Sequence, residues 1–256
     1  MAKRAFRSAD RAFLVEGPQA VREAVTDPRG LVTDLFATDE AAARHADILE
    51  AAGGIPIHLV SGEVLGALGQ TVTPQGLVAV ARFCDVTLDD VLVNPPRLVT
   101  VLYAVRDPGN AGTVIRTADA AGADAVVLTD TSVDPYNGKC VRASAGSLFH
   151  LPFVTGVPVA AAVARLRSAG LAVLAADGQA DDDLDEVADT GGLDGPTAWL
   201  FGNEAWGLPE AVRALADRVV RVPIHGRAES LNLATATAVC LYASARAQRE
   251  NRPPDG

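Results

Sequence analysis

Short β-branched apolar runs alternate along this chain with Ala-rich stretches whose apolar positions recur at helical spacing. That alternation is the pattern of an α/β fold. In the first third, RAFLVEGPQAVREAV (11–25) reads as an extended run or turn followed by a helix. LVTDLFAT (31–38) then predicts a strand, 38–53 a helix, IPIHLV (55–60) a strand, SGEVLGALGQ (61–70) a helix and GLVAVARF (76–83) a closing strand. The pair Pro95–Pro96, preceded by acids, marks 85–97 as a linker, so residues 1–84 and 98–256 are expected to be separate domains.

The second domain opens with LVTVLYAV (98–105), a wholly apolar run of the buried parallel-strand type. Next come a helix over 108–123, a strand over 123–130 and a short helix within 144–155 leading into an edge strand. A helix at 158–169, strands at 171–177 and 197–203, a helix at 209–217, a strand at 218–224 and a helix at about 232–248 complete the reading. Between them the acidic run 181–186 reads as a solvated loop, and the tail NRPPDG is expected to fray. Sequential β-α alternation favours a mostly parallel sheet with helices on both faces.

Open α/β sheets bind ligands where strands end, and three segments place Gly and polar residues there. In AVRDPGNAGTVIRTADAAG (104–122), a turn after a buried strand opens a helix carrying Asn110 and Arg116. Taken alone it reads first as a capped helix start with a surface arginine, and only second as an anion-binding helix N-terminus. In WLFGNEAWGLPEAV (199–212), Gly202 and Gly207 permit close backbone approach, and Glu204 directly follows a buried strand. There a carboxylate needs either solvent or a partner. In VPIHGRAESLNLATATAV (222–239), Ser230 or Asn232 serves as an N-cap or as a functional group before a helix rich in small residues.

Composition narrows the setting. The chain has 256 residues, is 49% hydrophobic and 21% charged, and suits a folded globular protein. Cys84, Cys140 and Cys240 lack CxxC spacing and read as buried thiols in a reducing compartment, and the start of the chain has no signal-peptide character. Cytoplasmic localisation and no membrane contact are therefore expected. The four histidines lack metal-ligand spacing, so no metal is expected, and neither GxGxxG after a strand, a P-loop nor a GxSxG elbow occurs.

Together the three segments resemble the motifs of the SpoU (TrmH) family of RNA ribose 2′-O-methyltransferases, in the SPOUT superfamily. VRASAGSLFHLPF (141–153) adds a fourth match, to the family's RAS-x-G segment, and AFLVEGPQAVREAV is similar to the start of the RNA-binding domain many members carry. The resemblance implies a C-terminal SPOUT α/β-knot, trefoil-knotted and mostly parallel, preceded by a small α/β ribosomal-protein-like RNA-binding domain. It further implies a homodimer and S-adenosylmethionine as cofactor. Carried over, it assigns Leu200, Gly202, Val222, Ile224, Leu231 and Leu233 to the cofactor pocket. Asn110, Arg116, Glu204, Ser230 and Asn232 would surround the methyl-transfer centre. Arg116 would orient the target phosphate and ribose, and Glu204 would hold Arg116 or a residue of the second subunit.

The net charge of −10 opposes RNA binding unless the bases are segregated. Lys3, Arg4, Arg7 and Arg11 cluster near the start, Lys139 and Arg142 lie near the RAS segment, and Arg106, Arg116 and Arg227 lie in or beside the motifs. The expected activity is methyl transfer to RNA, with ribosomal RNA favoured. The alternatives are a transfer-RNA 2′-O-methyltransferase and a non-catalytic RNA-binding protein of the same fold. A nicotinamide- or ATP-using enzyme lacks its phosphate loop.

Overall fold

The structure, a computed structural model, describes residues 4–69, 71 and 73–250. Lys3, Gln70 at the end of the expected 61–70 helix, and the tail 251–256 lie outside the described residues. The chain begins with α1 (Arg4–Asp10), β1 (Ala12–Glu16), α2 (Pro18–Thr26), β2 (Val32–Ala37), α3 (Asp39–Arg44) and α4 (Ala46–Ala51). β3 (Ile57–Leu59), α5 (Gly62–Leu68), β4 (Leu77–Arg82), α6 (Leu88–Leu92) and β5 (Leu98–Leu102) follow. Next are α7 (Pro108–Ala121), β6 (Ala125–Thr129), α8 (Gly138–Ser144), β7 (Phe153–Val157), α9 (Val159–Ser168) and β8 (Ala172–Ala176). The last elements are β9 (Asp182–Asp183), α10 (Leu184–Asp189), β10 (Thr197–Phe201), α11 (Glu210–Arg213), β11 (Arg218–Arg221) and α12 (Leu233–Glu250). They form two compact units, Met1–Cys84 with Asp134–His150, and Asp85–Val133 with Leu151–Gly256.

In the first unit the sheet order is β1-β4-β2-β3, antiparallel except for the β2–β3 pair. Phe13, Leu35, Ile48, Leu65 and Leu77 are fully buried around it. Residues 134–150, which the sequence places with the later motifs, pack into this unit. Tyr136 stacks on Phe83 with ring centroids 3.7 Å apart, and its hydroxyl accepts the Cys84 N–H at 2.8 Å. Buried Arg7 donates to Asp134 at 2.6 Å. The helix expected over 38–53 breaks at His45, whose φ of −120° leaves the helical range.

The second unit holds a seven-stranded sheet, order β7-β6-β5-β10-β8-β11-β9, parallel at every pairing. Val99, Val101, Val127, Val173 and Leu200 pack on one face. On the other, α12 lies on β10, where Trp199 donates its indole N–H to Ser244 at 2.8 Å. The run 85–97 carries α6, started by a capping box between Thr87 and Asp90, and Leu88 and Val91 join this core. Acids 181–186 form no loop. Asp183 N-caps α10, Leu184 and Val187 are buried, and Arg218 and Arg221 pair with Asp182 and Asp183. The helix expected inside 144–155 lies one element earlier, as α8, and ends at Ala145 with φ of 50°. β5 and β10 are neighbours although four strands lie between them in sequence, so the chain's connections diverge at this seam. Such a divergence opens a crevice at the carboxyl ends of the strands.

Candidate active site

β5 stops at Leu102, and its register with β10 ends where Tyr103 N–H donates to Phe201 O at 2.8 Å. Ala104 then takes a positive φ of 52°, and Asp107 caps α7 by accepting Asn110 N–H at 2.8 Å. After β10, residues 202–207 fold into a closed turn. Asn203 N–H donates to Gly207 O at 3.0 Å, and Gly207 N–H returns to Asn203 O at 2.9 Å. A Cβ on Gly202 would stand 2.3 Å from the Gly207 carbonyl carbon, so only glycine fits, and Gly207 needs its freedom for φ of 66°. The buried Asn203 side chain ties the two strand ends together, donating to Ala104 O at 2.6 Å and accepting Ala205 N–H at 2.8 Å.

Glu204 extends that tie. Its Oε2 accepts Arg106 N–H at 3.1 Å, and its Oε1 accepts Asp107 N–H at 3.1 Å and Asn110 Nδ2 at 3.3 Å. Asn232, whose Oδ1 caps α12 through Ala234 N–H at 2.9 Å, donates its Nδ2 to Asn110 Oδ1 at 3.2 Å. One chain of hydrogen bonds thus joins all three sequence segments: Asn232 to Asn110 to Glu204 to the amides that open α7. Glu204 is exposed, and within this chain it holds backbone amides and the Asn110 side chain, not Arg116, the first of its two expected partners. Arg116 lies outside this network, exposed on α7 and without an ion pair or hydrogen bond to any described residue.

Beside the network, the ends of β8 and β10, the 222–231 loop and the start of α12 enclose a cavity of about 310 Å³. Gly202, Val222, Ile224, Leu231 and Leu233 line it, as do Glu204 and Ser230. Leu200 does not, because alternation along β10 turns it into the sheet core, fully buried. Its neighbour Phe201 faces the cavity instead, together with Asp177, Gly178 and Asn203, none of which the sequence reading singled out. The Asp-Gly pair ending the 171–177 run was the available signal. Asn110, Arg116 and Asn232 are not among the lining residues. Apolar walls beside glycines and backbone at parallel strand ends suit a nucleoside-type group, so the donor set fits S-adenosylmethionine. The first unit has its own cavity of about 280 Å³. There Arg142 is held by buried Glu16 at 3.0 Å.

Residues 97–242 match the SpoU rRNA methylase family, more than half of the chain. The chain belongs to that family. Residues 14–83 also match the family of RNA 2′-O ribose methyltransferase substrate-binding domains. RlmP of Bacillus subtilis, named as a 23S rRNA guanosine 2′-O-methyltransferase, is 37% identical over 92% of this chain and 89% of its own. RlmB of Bordetella pertussis, named as a 23S rRNA guanosine-2′-O-methyltransferase, is 34% identical over 75% of this chain and 79% of its own. The crystal structure of the SpoU methyltransferase AviRb from Streptomyces viridochromogenes, in complex with the cofactor AdoMet, superimposes with a TM-score of 0.81. It is 32% identical and covers 97% of this chain and 94% of that one.

In this SpoU chain three arginines in or beside the motifs carry no ion pair to any described residue. Among the described residues many arginines are in ion pairs, including Arg7 and Arg142 from the expected RNA-facing clusters. Arg11 lies 5.2 Å from the centre of the Phe83 ring. By contrast, the guanidinium groups of Arg106, Arg116 and Arg227 are exposed and bond to no described residue. Asp182 and Asp183 of the acidic run sit at the edge strand β9 and are paired with Arg218 and Arg221.

Proposed function

We propose that this protein transfers a methyl group from S-adenosylmethionine to a ribose 2′-hydroxyl of ribosomal RNA. The observation that carries the reading is the union of the three motif segments in one hydrogen-bonded network beside an apolar cavity at the β5–β10 seam. The cofactor would be held by Gly202, Val222, Ile224, Leu231 and Leu233, and would supply a methyl group already activated on a sulfonium. No metal is needed for such a donor. The protein's task is then alignment of the 2′-hydroxyl and removal of its proton.

Glu204 serves this by rigidity. Accepting three N–H donors, it fixes the loop that opens α7, with Asn110 and Asn232 completing a preorganised polar rim. Ser230 lies on the same rim and offers a hydroxyl to the substrate. Arg116 is a permanent cation, suited to a phosphate and poorly suited to act as a base. We assign it the orientation of the target phosphate and ribose. The match of residues 14–83 to a substrate-binding family supports RNA capture by the first unit.

Homodimer formation belongs to the same proposal. Val239 and Tyr242 on α12 are 40% and 54% exposed, and Tyr242 reaches Ala120 O on the adjoining α7 at 3.5 Å. That apolar surface supports a second copy packing against these helices. A trefoil knot and a cytoplasmic location complete the proposal. The return of the chain after β11 across the ends of β8 and β10 supports the first, and three buried cysteines in no disulfide support the second.

The deciding experiment is labelling of ribosomal and transfer RNA from a strain lacking the protein, with tritiated S-adenosylmethionine, followed by mass-spectrometric mapping. Label confined to ribosomal RNA at one 2′-O position is expected. Absence of label in both RNAs, with the cofactor demonstrably bound, refutes methyl transfer to them.

A further inference from the structure

The chain has two tryptophans, and they live in opposite environments. Trp199 is fully buried in β10 with its indole N–H bonded to Ser244. Trp206 is 59% exposed, makes no ring pair or hydrogen bond with a described residue, and is not among the residues lining the cavity. The backbone beneath it is tightly held. Its turn is closed by the reciprocal Asn203–Gly207 bonds, anchored by Asn203 to Ala104 O, and pinned on its flank by Glu204 to the amides of Arg106 and Asp107. A large flat side chain left in water on so rigid a support is a preorganised surface, because little conformational entropy remains to be lost when a partner arrives.

Position specifies the partner's chemistry. Trp206 is two residues from Glu204, on the turn that forms one wall of the cavity. Arg106, whose amide Glu204 holds, and Arg227, on the 222–231 loop that forms another wall, are exposed, and their guanidinium groups bond to no described residue. An aromatic face flanked by cations matches a nucleobase with its phosphates.

We propose that Trp206 is a stacking platform for an unpaired nucleobase of the RNA segment presented to the cavity. The inference rests on the reading of this site as an RNA 2′-O-methyltransferase. Stacking of this kind tolerates any base, since every base has a π-face, so Trp206 supplies affinity and placement of the strand while sequence discrimination lies elsewhere.

Two measurements on the full chain test it, with 23S ribosomal RNA from a strain lacking the protein as the probe. Intrinsic fluorescence of the wild type is expected to be quenched on adding this RNA, and Trp206→Phe, which keeps buried Trp199, is expected to lose that quench. In steady-state methylation, Trp206→Ala is expected to raise the KM for RNA roughly 5- to 150-fold, the worth of one base–aromatic stack, with Trp206→Phe intermediate. Its affinity for S-adenosylmethionine by calorimetry and its sedimentation coefficient are expected to match the wild type. An unchanged KM in Trp206→Ala, with RNA still labelled, overturns the stacking role alone. A change in sedimentation assigns the ring to contact between copies and also overturns it. A wild type that shows the quench but labels no RNA overturns the methyl-transfer reading and upholds stacking.

Discussion

Asn110, Glu204 and Asn232 show how much of this site depends on single hydrogen bonds across 94 to 122 residues of sequence. Each was visible beforehand as a polar residue at a strand end or helix start, but their mutual bonding was not, because nothing local encodes which loop will face which. Glu204 illustrates the point. Its position after an apolar strand demanded a partner or solvent, and the partners proved to be backbone amides, which leave no trace in sequence. Arg116, by contrast, bonds to no described residue, as a group awaiting a substrate would. Replacing Arg116 with Ala is expected to abolish methyl transfer while S-adenosylmethionine binding survives calorimetry, and near-normal turnover in that variant would sink the assignment. A second residue-scale expectation concerns Asp27. Burial pushes its carboxyl upward, but bonds from the Arg29 side chain and backbone outweigh this and hold it below the usual carboxylate range. A depressed folded value stabilises above the unfolded pKa of about 3.9 and loses that contribution as pH falls through the folded value. The stability gap between wild type and Asp27→Asn, measured by urea unfolding, should therefore be full at neutral pH and close as pH falls through the depressed folded value.

Elements that follow hydrophobic periodicity were legible: β5, β6, β8 and β10, wholly or mainly apolar, and α12 with its small residues fall where the pattern places them. Elements stabilised by a few side-chain bonds were not. The run 85–97 carries acids and a Pro-Pro pair, the composition of a linker, yet two buried residues and a capping box suffice to make α6. In α10, Leu184 and Val187 are masked by the acids around them, which pair with Arg218 and Arg221 on a strand far along the chain. Thr87 puts this scale to the test. If 85–97 is an ordered part of the second unit, Thr87→Ala removes the side-chain cap and lowers stability by about 1 kcal/mol, seen as a lower thermal midpoint. An unchanged midpoint would mean that α6 contributes nothing to the fold.

For the whole molecule, charge and assembly matter most. A sum of −10 spread evenly would repel RNA, but the exposed guanidinium groups of Arg106, Arg116 and Arg227, in or beside the motifs, bond to no described residue. The apolar surface of α12 carries the corresponding expectation for assembly. Val239→Asp with Tyr242→Asp should convert the proposed dimer to monomers in analytical ultracentrifugation, because two carboxylates would be desolvated at the contact. If the sedimentation coefficient is the same before and after, the dimer does not use this face.

The order of apolar and polar residues by itself determined the α/β class, most strands and the three segments that carry chemistry, because periodicity and strand-end glycines are local properties of a chain. Tertiary structure alone decided which segments meet. It placed 134–150 in the first unit, turned Leu200 into the core while Phe201 faced the cavity, and gave Glu204 backbone amides in place of an arginine. Those outcomes depend on strand order and on contacts made across the length of the chain. They follow from the free energy of the folded whole, which no single window of sequence contains.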